Sequence, residues 1–263
     1  MHPSNWRLIN GQYLEALPTA ALRARGNAMA RALAQNDWLI RRKRDGRFVA
    51  VASGEHVREL GRGSMDSALL ADLQSLVHAD APGESARPFS GLLARLRSLG
   101  LDQADYAAAT GLTLVAEPST LAFAGRDRYA RPLWLRSNPA RAWKRMREAA
   151  GADGVTLQAI SGYRSHDYQL GIFRRKLARG QSIDDILKVN AAPGFSEHHA
   201  GDAMDIGTPG EPAAEESFEA TPAFAWLRTH ASAFGFHMSY PRGNRHGIVY
   251  EPWHWRHQAE ADD

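Results

Sequence analysis

Short helix and strand patterns follow one another in no regular order from about residue 113 onward, and this feature constrains the fold most. VTLQAI at 155–160 has the character of a strand, whereas Thr221-Pro222 begins a helix whose apolar residues fall on one face. A doubly wound parallel sheet requires strands and helices in strict alternation. The sequence therefore predicts an α+β domain over residues 113–263.

Residues 1–112 have a separate organisation. Asp45-Gly46, a dipeptide suited to a tight turn, lies between two runs with strand character and predicts a hairpin. Thr19 is placed to cap a helix over the alanine-rich run at 20–36. We interpret residues 1–112 as a small N-terminal α+β accessory domain of unknown function.

The charge balance gives little information about partners. The net charge is +3, which slightly favours anionic partners without choosing among them. Arginines and lysines cluster between Arg23 and Arg47, but a charged run on a helix and a hairpin is usually a solvated face. No aromatic interleaving supports base stacking, so the sequence disfavours a nucleic-acid partner.

The 263 residues contain no cysteine, which excludes disulfides, thiolate zinc sites and cysteine nucleophiles. Any metal ion must therefore be bound by histidine, aspartate or glutamate. A catalytic zinc ion needs three such ligands, an open position for water and a nearby glutamate that accepts a proton from the water. The C-terminal half contains a full set of these residue types.

The stretch GFSEHHAGDAMDIG at 194–207 supplies part of that set. A turn between two strands can bring His198 and Asp205, which are seven residues apart, onto one ion. If the segment is extended, His199 points to the face opposite His198. Spacing alone therefore leaves both histidines open as ligands.

EPWHWR at 251–256 supplies the remaining candidates. His254 can be the third ligand, and Glu251, three residues earlier, can be the base. Pro252 favours an extended Glu251 and is itself suited to begin a helical turn. We therefore expect a strand that ends at Glu251 and a turn that brings His254 beside it.

Four short motifs carry a resemblance to a known family. They are SGYRS (161–165) followed by Gln169, then SEHHAGDAMDI (196–206), GFHMSYP (235–241) and EPWHWR (251–256). In this order and spacing they resemble the VanY-type D-alanyl-D-alanine carboxypeptidases, zinc peptidases grouped with lysostaphin-like enzymes and the hedgehog domain. The resemblance covers about residues 113–258 and implies a small antiparallel sheet flanked by helices.

The resemblance assigns a role to each matching residue. It implies that His198, Asp205 and His254 bind zinc, and it selects His198 over His199. It implies that Glu251 is the general base. It implies that Arg164 stabilises the charge that develops on the carbonyl oxygen. It also implies that the end of the peptide is positioned by Ser196, Gln169 and Tyr240. Ser239 stands where many relatives have an arginine, which is a departure from the pattern.

The function that the resemblance implies is removal of the terminal D-alanine from peptidoglycan stem peptides or muropeptides. D,D- and L,D-carboxypeptidase activity both stay open. The alternatives are a peptidoglycan endopeptidase or lysin, and a non-catalytic zinc-containing domain that binds the cell wall. The N-terminus lacks the pattern of a secretory signal and no stretch is long enough to span a membrane, so we expect a cytoplasmic protein, with export by another route left open.

Overall fold

The computed structural model describes residues 6–61, 65–77 and 83–258. These residues form two antiparallel sheets that are flanked by helices. The α+β class expected from the sequence is therefore confirmed. Within the described ranges, no helix combines the length and the apolar character that a membrane span requires.

Seven strands form the larger sheet, in the order β5-β4-β3-β2-β1-β6-β7. Their bounds are β1 (Arg7–Asn10), β2 (Leu14–Pro18), β3 (Trp38–Arg42), β4 (Phe48–Ser53), β5 (His56–Glu59), β6 (Thr120–Arg126) and β7 (Pro132–Leu135). Every neighbouring pair is antiparallel. Because β1 pairs with β6, one sheet joins residues 7–10 to residues 120–126.

The hairpin expected at Asp45-Gly46 is confirmed, since β3 and β4 pair on either side of it. Gly46 has a φ of +70°, the left-handed conformation that glycine adopts without strain. The prediction that a helix begins directly after Thr19 is wrong. Thr19 lies in a short 3-10 turn, and Leu22 then leaves this turn in extended conformation. The helix begins only at Asn27.

Four strands form the smaller sheet, in the order β10-β11-β9-β8. Their bounds are β8 (Gln158–Ser161), β9 (Ala203–Gly207), β10 (Phe236–Met238) and β11 (His254–His257). The helices are α1 (Asn27–Gln35), α2 (Ser67–Val77), α3 (Leu92–Arg97), α4 (Gln103–Thr110), α5 (Ser137–Ala152), α6 (His166–Leu177), α7 (Ile183–Lys188) and α8 (Pro222–His230). As the sequence predicts, Thr221 caps α8, and its Oγ1 accepts a hydrogen bond from the amide of Phe224 at 3.2 Å.

The largest apolar core lies around α5. Trp143 and Met146 of this helix are fully buried between residues of β7, the smaller sheet and α8. Burial of a large apolar side chain stabilises a fold by about 1.5–3 kcal/mol. The core thus fixes the smaller sheet, and the segments that lead into it, against a rigid helix.

Residues before and after position 112 pack together in a second core. Leu96 of α3 and Tyr106 of α4 share a buried cluster with Ala192, Phe195 and Tyr240. The division into two domains at residue 112 stays a prediction. The structure adds that the preceding region contributes both to the larger sheet and to the support of the loop at 191–195.

Candidate metal centre and active site

The centre of the site is a pair of directly opposed residues in the smaller sheet. Asp205 on β9 and His254 on β11 are cross-strand partners, so their side chains leave the same face of the sheet. Nδ1 of His254 lies 3.2 Å from Oδ1 of Asp205. The antiparallel register therefore brings together two residues that are 49 positions apart in the sequence.

His198 approaches this pair from a 3-10 turn at Glu197–Ala200. Its Nδ1 donates a hydrogen bond of 2.8 Å to the carbonyl oxygen of Gly162, just beyond β8. Its Nε2 lies 3.3 Å from Oδ1 of Asp205. Successive residues of a 3-10 turn point roughly 120° apart, so the neighbouring His199 points elsewhere.

The donor atoms of His198, Asp205 and His254 all lie within 4.8 Å of one another. Burial, followed by the nearby Arg164, lowers the pKa of His198 to about 4, so its ring is neutral at pH 7. With Nδ1 protonated, the buried Nε2 has a lone pair and no hydrogen-bond partner among the described residues. This lone pair and the carboxylate of Asp205 face one another, an arrangement that a cation between them would stabilise.

The spacing of the donor atoms suits a tetrahedral metal ion. Two ligands that are each 2.0–2.2 Å from such an ion are separated by about 3.4 Å. The contacts of Asp205 with His198 and His254 measure 3.3 and 3.2 Å. Two imidazole nitrogens and one carboxylate oxygen are ligands that zinc accepts, whereas calcium and magnesium prefer oxygen. The residues present therefore fit a zinc ion.

His199 is buried, but both of its ring nitrogens are already used. Its Nδ1 donates to the carbonyl oxygen of Arg164 at 2.6 Å, and its Nε2 accepts from the amide of Gly194 at 3.1 Å. A histidine in this position connects two loops of the site. The structure thus gives a physical reason to prefer His198 as a ligand.

Glu251 lies beside the donor cluster in the turn that leads into β11. The amide of His254 donates to the carbonyl oxygen of Glu251 at 3.1 Å, which closes this turn. The strand expected to end at Glu251 is wrong, because the strand begins after the turn, at His254. The expected proximity of the two residues nevertheless holds, with Oε2 of Glu251 at 3.9 Å from Nδ1 of His254.

The carboxylate of Glu251 has an unusual protonation equilibrium. Burial raises its pKa to about 7, and the positive charges of His254 and Arg164 offset part of this effect. A carboxyl group with a pKa near the working pH can both accept and release a proton. This is the property that a general acid and base requires.

A cavity of about 280 Å³ opens in front of the donor cluster. The residues expected to position a peptide also line it: Arg164, Gln169, Ser196 and Tyr240. Gln169 donates through Nε2 to the carbonyl oxygen of Ala191 at 2.9 Å, while its buried Oε1 has no partner among the described residues. The ring of Tyr240 lies 4.9 Å from that of His254.

Residues 132–260 match the family model VanY, described as D-alanyl-D-alanine carboxypeptidase. These residues form a VanY-type domain. The match contains the complete donor cluster, Glu251 and the residues that line the cavity in front of them.

Known proteins resemble this part of the chain. The Bacillus subtilis protein YodJ is 37% identical over 129 residues, which are 47% of this chain and 46% of that protein. A D-alanyl-D-alanine carboxypeptidase of Enterococcus faecalis is 32% identical over 42% of this chain and 43% of its own length. The chain therefore spans less than half the length of these curated relatives.

One solved structure is the D,D-pentapeptidase VanY of a VanB-type vancomycin resistance cassette, determined in complex with Zn(II). It is 29% identical to this chain, with a TM-score of 0.41, and the match covers 48% of this chain and 73% of that protein.

Two residues of the VanY-type domain were missed by sequence reasoning. Glu197 accepts from Nε2 of His254 at 2.8 Å and from Arg256 at 3.1 Å. Burial opposes its ionisation, but the hydrogen bond with His254 is among the contacts that lower the pKa of Glu197 to about 2. Glu197 is therefore an anion that orients the ring of His254. In the sequence, the only indication of this role was its position next to His198.

The second missed residue is Lys176, near the end of α6. It lines the cavity, and burial followed by the charge of Arg164 lowers its pKa. Ser239 stands where the family pattern has an arginine, and its side chain hydrogen-bonds to Glu197. This position therefore supplies no positive charge. Lys176 thus supplies a positive charge within the VanY-type domain that no sequence motif indicated.

Proposed function

We propose that this protein is a zinc-dependent carboxypeptidase that removes the C-terminal D-alanine from peptidoglycan stem peptides. The observation that carries the proposal is the convergence of His198, Asp205 and His254 beside Glu251, a buried carboxyl group with a pKa of about 7. The described relative from Enterococcus faecalis, a D-alanyl-D-alanine carboxypeptidase, supports the choice of substrate.

The three donor residues would hold the ion, through Nε2 of His198, a carboxylate oxygen of Asp205 and Nδ1 of His254. A zinc ion held in this way supplies Lewis acidity, which acidifies water and polarises a scissile carbonyl group. Glu197 would orient Nδ1 of His254 towards the ion, because its carboxylate accepts a hydrogen bond from the protonated Nε2. The carbonyl oxygen of Gly162 does the same for His198 through Nδ1.

Glu251 performs the proton transfers. In its ionised form the carboxylate removes a proton from the attacking water, and it then delivers this proton to the departing amine of D-alanine. Its raised pKa favours the first step, because a carboxylate of pKa about 7 is a stronger base than an ordinary glutamate. The second step remains favourable because the departing amine, with a pKa of about 8, is more basic still. General catalysis of this kind contributes a factor of about 10²–10⁴ to the rate.

Arg164 and Lys176 supply positive charge on the walls of the cavity. Arg164 is suited to stabilise the charge that develops on the carbonyl oxygen, because its guanidinium is a permanent cation. We assign the terminal carboxylate of the substrate to Lys176, with hydrogen bonds from Ser196 and Tyr240. The unpartnered Oε1 of Gln169 is available to accept from an amide of the peptide.

The proposal is tested by mass spectrometry of synthetic stem pentapeptide and tetrapeptide after incubation with the protein. We expect loss of one alanine, abolished by a chelator and restored by zinc. The peptide that is trimmed distinguishes D,D- from L,D-carboxypeptidase activity. The matched control is Asp205→Asn, which removes one ligand charge and should lose both bound zinc and turnover.

Two outcomes would contradict the proposal. Zinc-loaded protein that trims neither peptide but cleaves crosslinked peptidoglycan would be an endopeptidase. Zinc-loaded protein that cleaves none of these substrates would be a binding domain that retains the metal.

A further inference from the structure

A second cavity of about 400 Å³ lies next to the proposed active site. One wall is formed by residues before position 132, from β2, β3, β4 and the segment that leads into α1. Residues of β7 and of the loop at 161–165 also line this cavity. Arg164 lines both cavities, so the two cavities adjoin at this residue.

The groove carries an excess of positive charge. Its two acidic residues are already paired, Glu15 with Arg41 and Asp127 with Arg131, each at 2.6 Å. Lys43 is neutralised by Glu117 at 2.5 Å. Three further cations line the groove and form no ion pair in the described ranges: Arg23, Arg25 and Arg164. Because cations without carboxylate partners concentrate anions, the groove is suited to a negatively charged ligand.

The surroundings of Arg23 support the same conclusion. Burial, followed by the charge of Arg23, lowers the pKa of the neighbouring Arg126. A guanidinium is therefore close to another guanidinium, and Arg23 itself is exposed. An anion bound here would relieve this repulsion.

The groove also offers contacts for a peptide backbone and side chains. Phe48, Trp134 and Tyr168 provide aromatic surface along it. Two residues that line the groove, Ser161 and Arg164, each have a buried polar atom, Oγ and Nε respectively, with no hydrogen-bond partner among the described residues. Both can donate to the carbonyl or carboxylate oxygens of a ligand.

We propose that this groove binds the part of the substrate that precedes the scissile bond, and that Arg23 and Arg25 recognise free carboxylates of an acidic peptide. The inference rests on the proposed function, because the active site fixes the orientation of the peptide. It assigns a substrate-binding role to residues outside the VanY-type domain. The volume of the groove lies within the range of pockets that enclose small ligands.

The experiment compares two stem pentapeptides that differ only at the γ-linked glutamate, whose α-carboxylate is free in one and amidated in the other. The test variant is Arg23→Gln/Arg25→Gln. The matched control is Arg31→Gln/Arg44→Gln, which changes two exposed arginines that line neither cavity. We expect the test variant to lose about 5- to 10-fold in kcat/KM on the free acid, through a higher KM, and less than about 2-fold on the amide.

A second readout does not depend on turnover. Calorimetry measures the binding of the stem tripeptide L-alanyl-γ-D-glutamyl-meso-diaminopimelate to chelator-treated protein at low and high salt. We expect the test variant, and not the control, to bind more weakly at low salt. A single-stranded oligonucleotide serves as competitor at the same salt concentration.

Several results would overturn the groove as an acidic-peptide site. They are an equal loss on both pentapeptides, an equal loss in the control variant, unchanged tripeptide binding in the test variant, or a preference for the oligonucleotide. If the wild-type protein trims neither the stem pentapeptides nor the stem tetrapeptide, the proposed function fails. The tripeptide measurement then still decides whether the groove binds this ligand.

Discussion

Glu117 and Glu251 are both buried, with 7% and 9% of their surface exposed, but the pKa values of their carboxyl groups are shifted in opposite directions. Glu117 accepts hydrogen bonds from Nζ of Lys43 at 2.5 Å, the hydroxyl of Tyr163 at 2.9 Å and the amide of His166 at 2.6 Å. Burial opposes its ionisation, but Lys43 and His166 hold the pKa of Glu117 well below its usual range. Burial instead raises the pKa of Glu251 to about 7.

The difference shows that hydrogen-bond partners, and not depth alone, decide what a buried carboxylate does. Glu251 has His254 Nδ1 as its ion-pair contact in the described ranges, at 3.9 Å, which is longer than a hydrogen bond. Its proton is therefore exchangeable, as the proposed chemistry requires. Glu117 is fixed as an anion and connects Lys43 to the loop that carries Arg164.

The largest expected effect is on catalysis, from Glu251→Gln. The amide keeps the shape of the side chain but cannot accept the proton from water, so kcat should fall by about 10²- to 10⁴-fold. Zinc content should not change, because the three donor residues are intact. Turnover of the pentapeptide and metal analysis on the same sample check both parts.

The same variant should show no loss of stability, since it replaces a buried carboxyl group with poor partners by a neutral amide. Unchanged turnover would remove Glu251 from the mechanism. Loss of zinc would instead make it a ligand. Either result would mean that Glu251 is not the proton-exchanging carboxyl group that distinguishes it from Glu117.

The next largest effect is on stability, from Glu117→Gln. This change leaves the buried ammonium group of Lys43 without its anion, and loss of one partner of a buried pair costs about 3–5 kcal/mol. We expect the free energy of unfolding at pH 7 to fall by about 3 kcal/mol. The exposed Glu148, with a side-chain exposure of 63%, provides the control Glu148→Gln, which should stay within about 0.5 kcal/mol of the wild type.

The effect of Glu117 should also depend on pH. Because the folded-state pKa is lowered, its contribution is fully present above the ordinary value of 4.5 and is lost as the pH falls towards the folded-state pKa. Urea unfolding of wild type and Glu117→Gln between pH 7 and pH 3 should show the difference narrowing below pH 4.5. A difference that does not change with pH would mean that the charge of Glu117 is not what stabilises the fold.

The two glutamates also differ in how far the sequence could reveal them. Glu251 belongs to a local pattern, three residues before His254, and the family motif assigns it a role. Glu117 lies outside every motif. No local pattern could reveal its partner Lys43, because the two residues are 74 positions apart. The contact of Glu197 with His254 likewise spans 57 residues. Local spacing indicated the donor residues, whereas the partners that tune them depend on tertiary packing.

Secondary structure shows the same division. The hairpin at Asp45-Gly46 and the start of α8 at Pro222 follow local turn and cap chemistry, and both were predicted. The start of α1 and the 3-10 turn that carries His198 were not. In both cases the apolar and polar pattern continues through a bend of the chain, so periodicity gives no sign of it.

The smallest expected effect is on stability and concerns Tyr163, one of the hydrogen-bond donors to Glu117. Tyr163→Phe removes one of several donors to this carboxylate, while Lys43 and the amide of His166 remain. We expect it to lower the free energy of unfolding by about 1 kcal/mol, the usual contribution of one hydrogen bond. In the Glu117→Gln background the same change should cost less than about 0.5 kcal/mol, because the bond to the carboxylate is already lost. Urea unfolding of the four proteins gives the coupling energy, and full additivity would show that Tyr163 stabilises the fold through Asn10 or through packing instead.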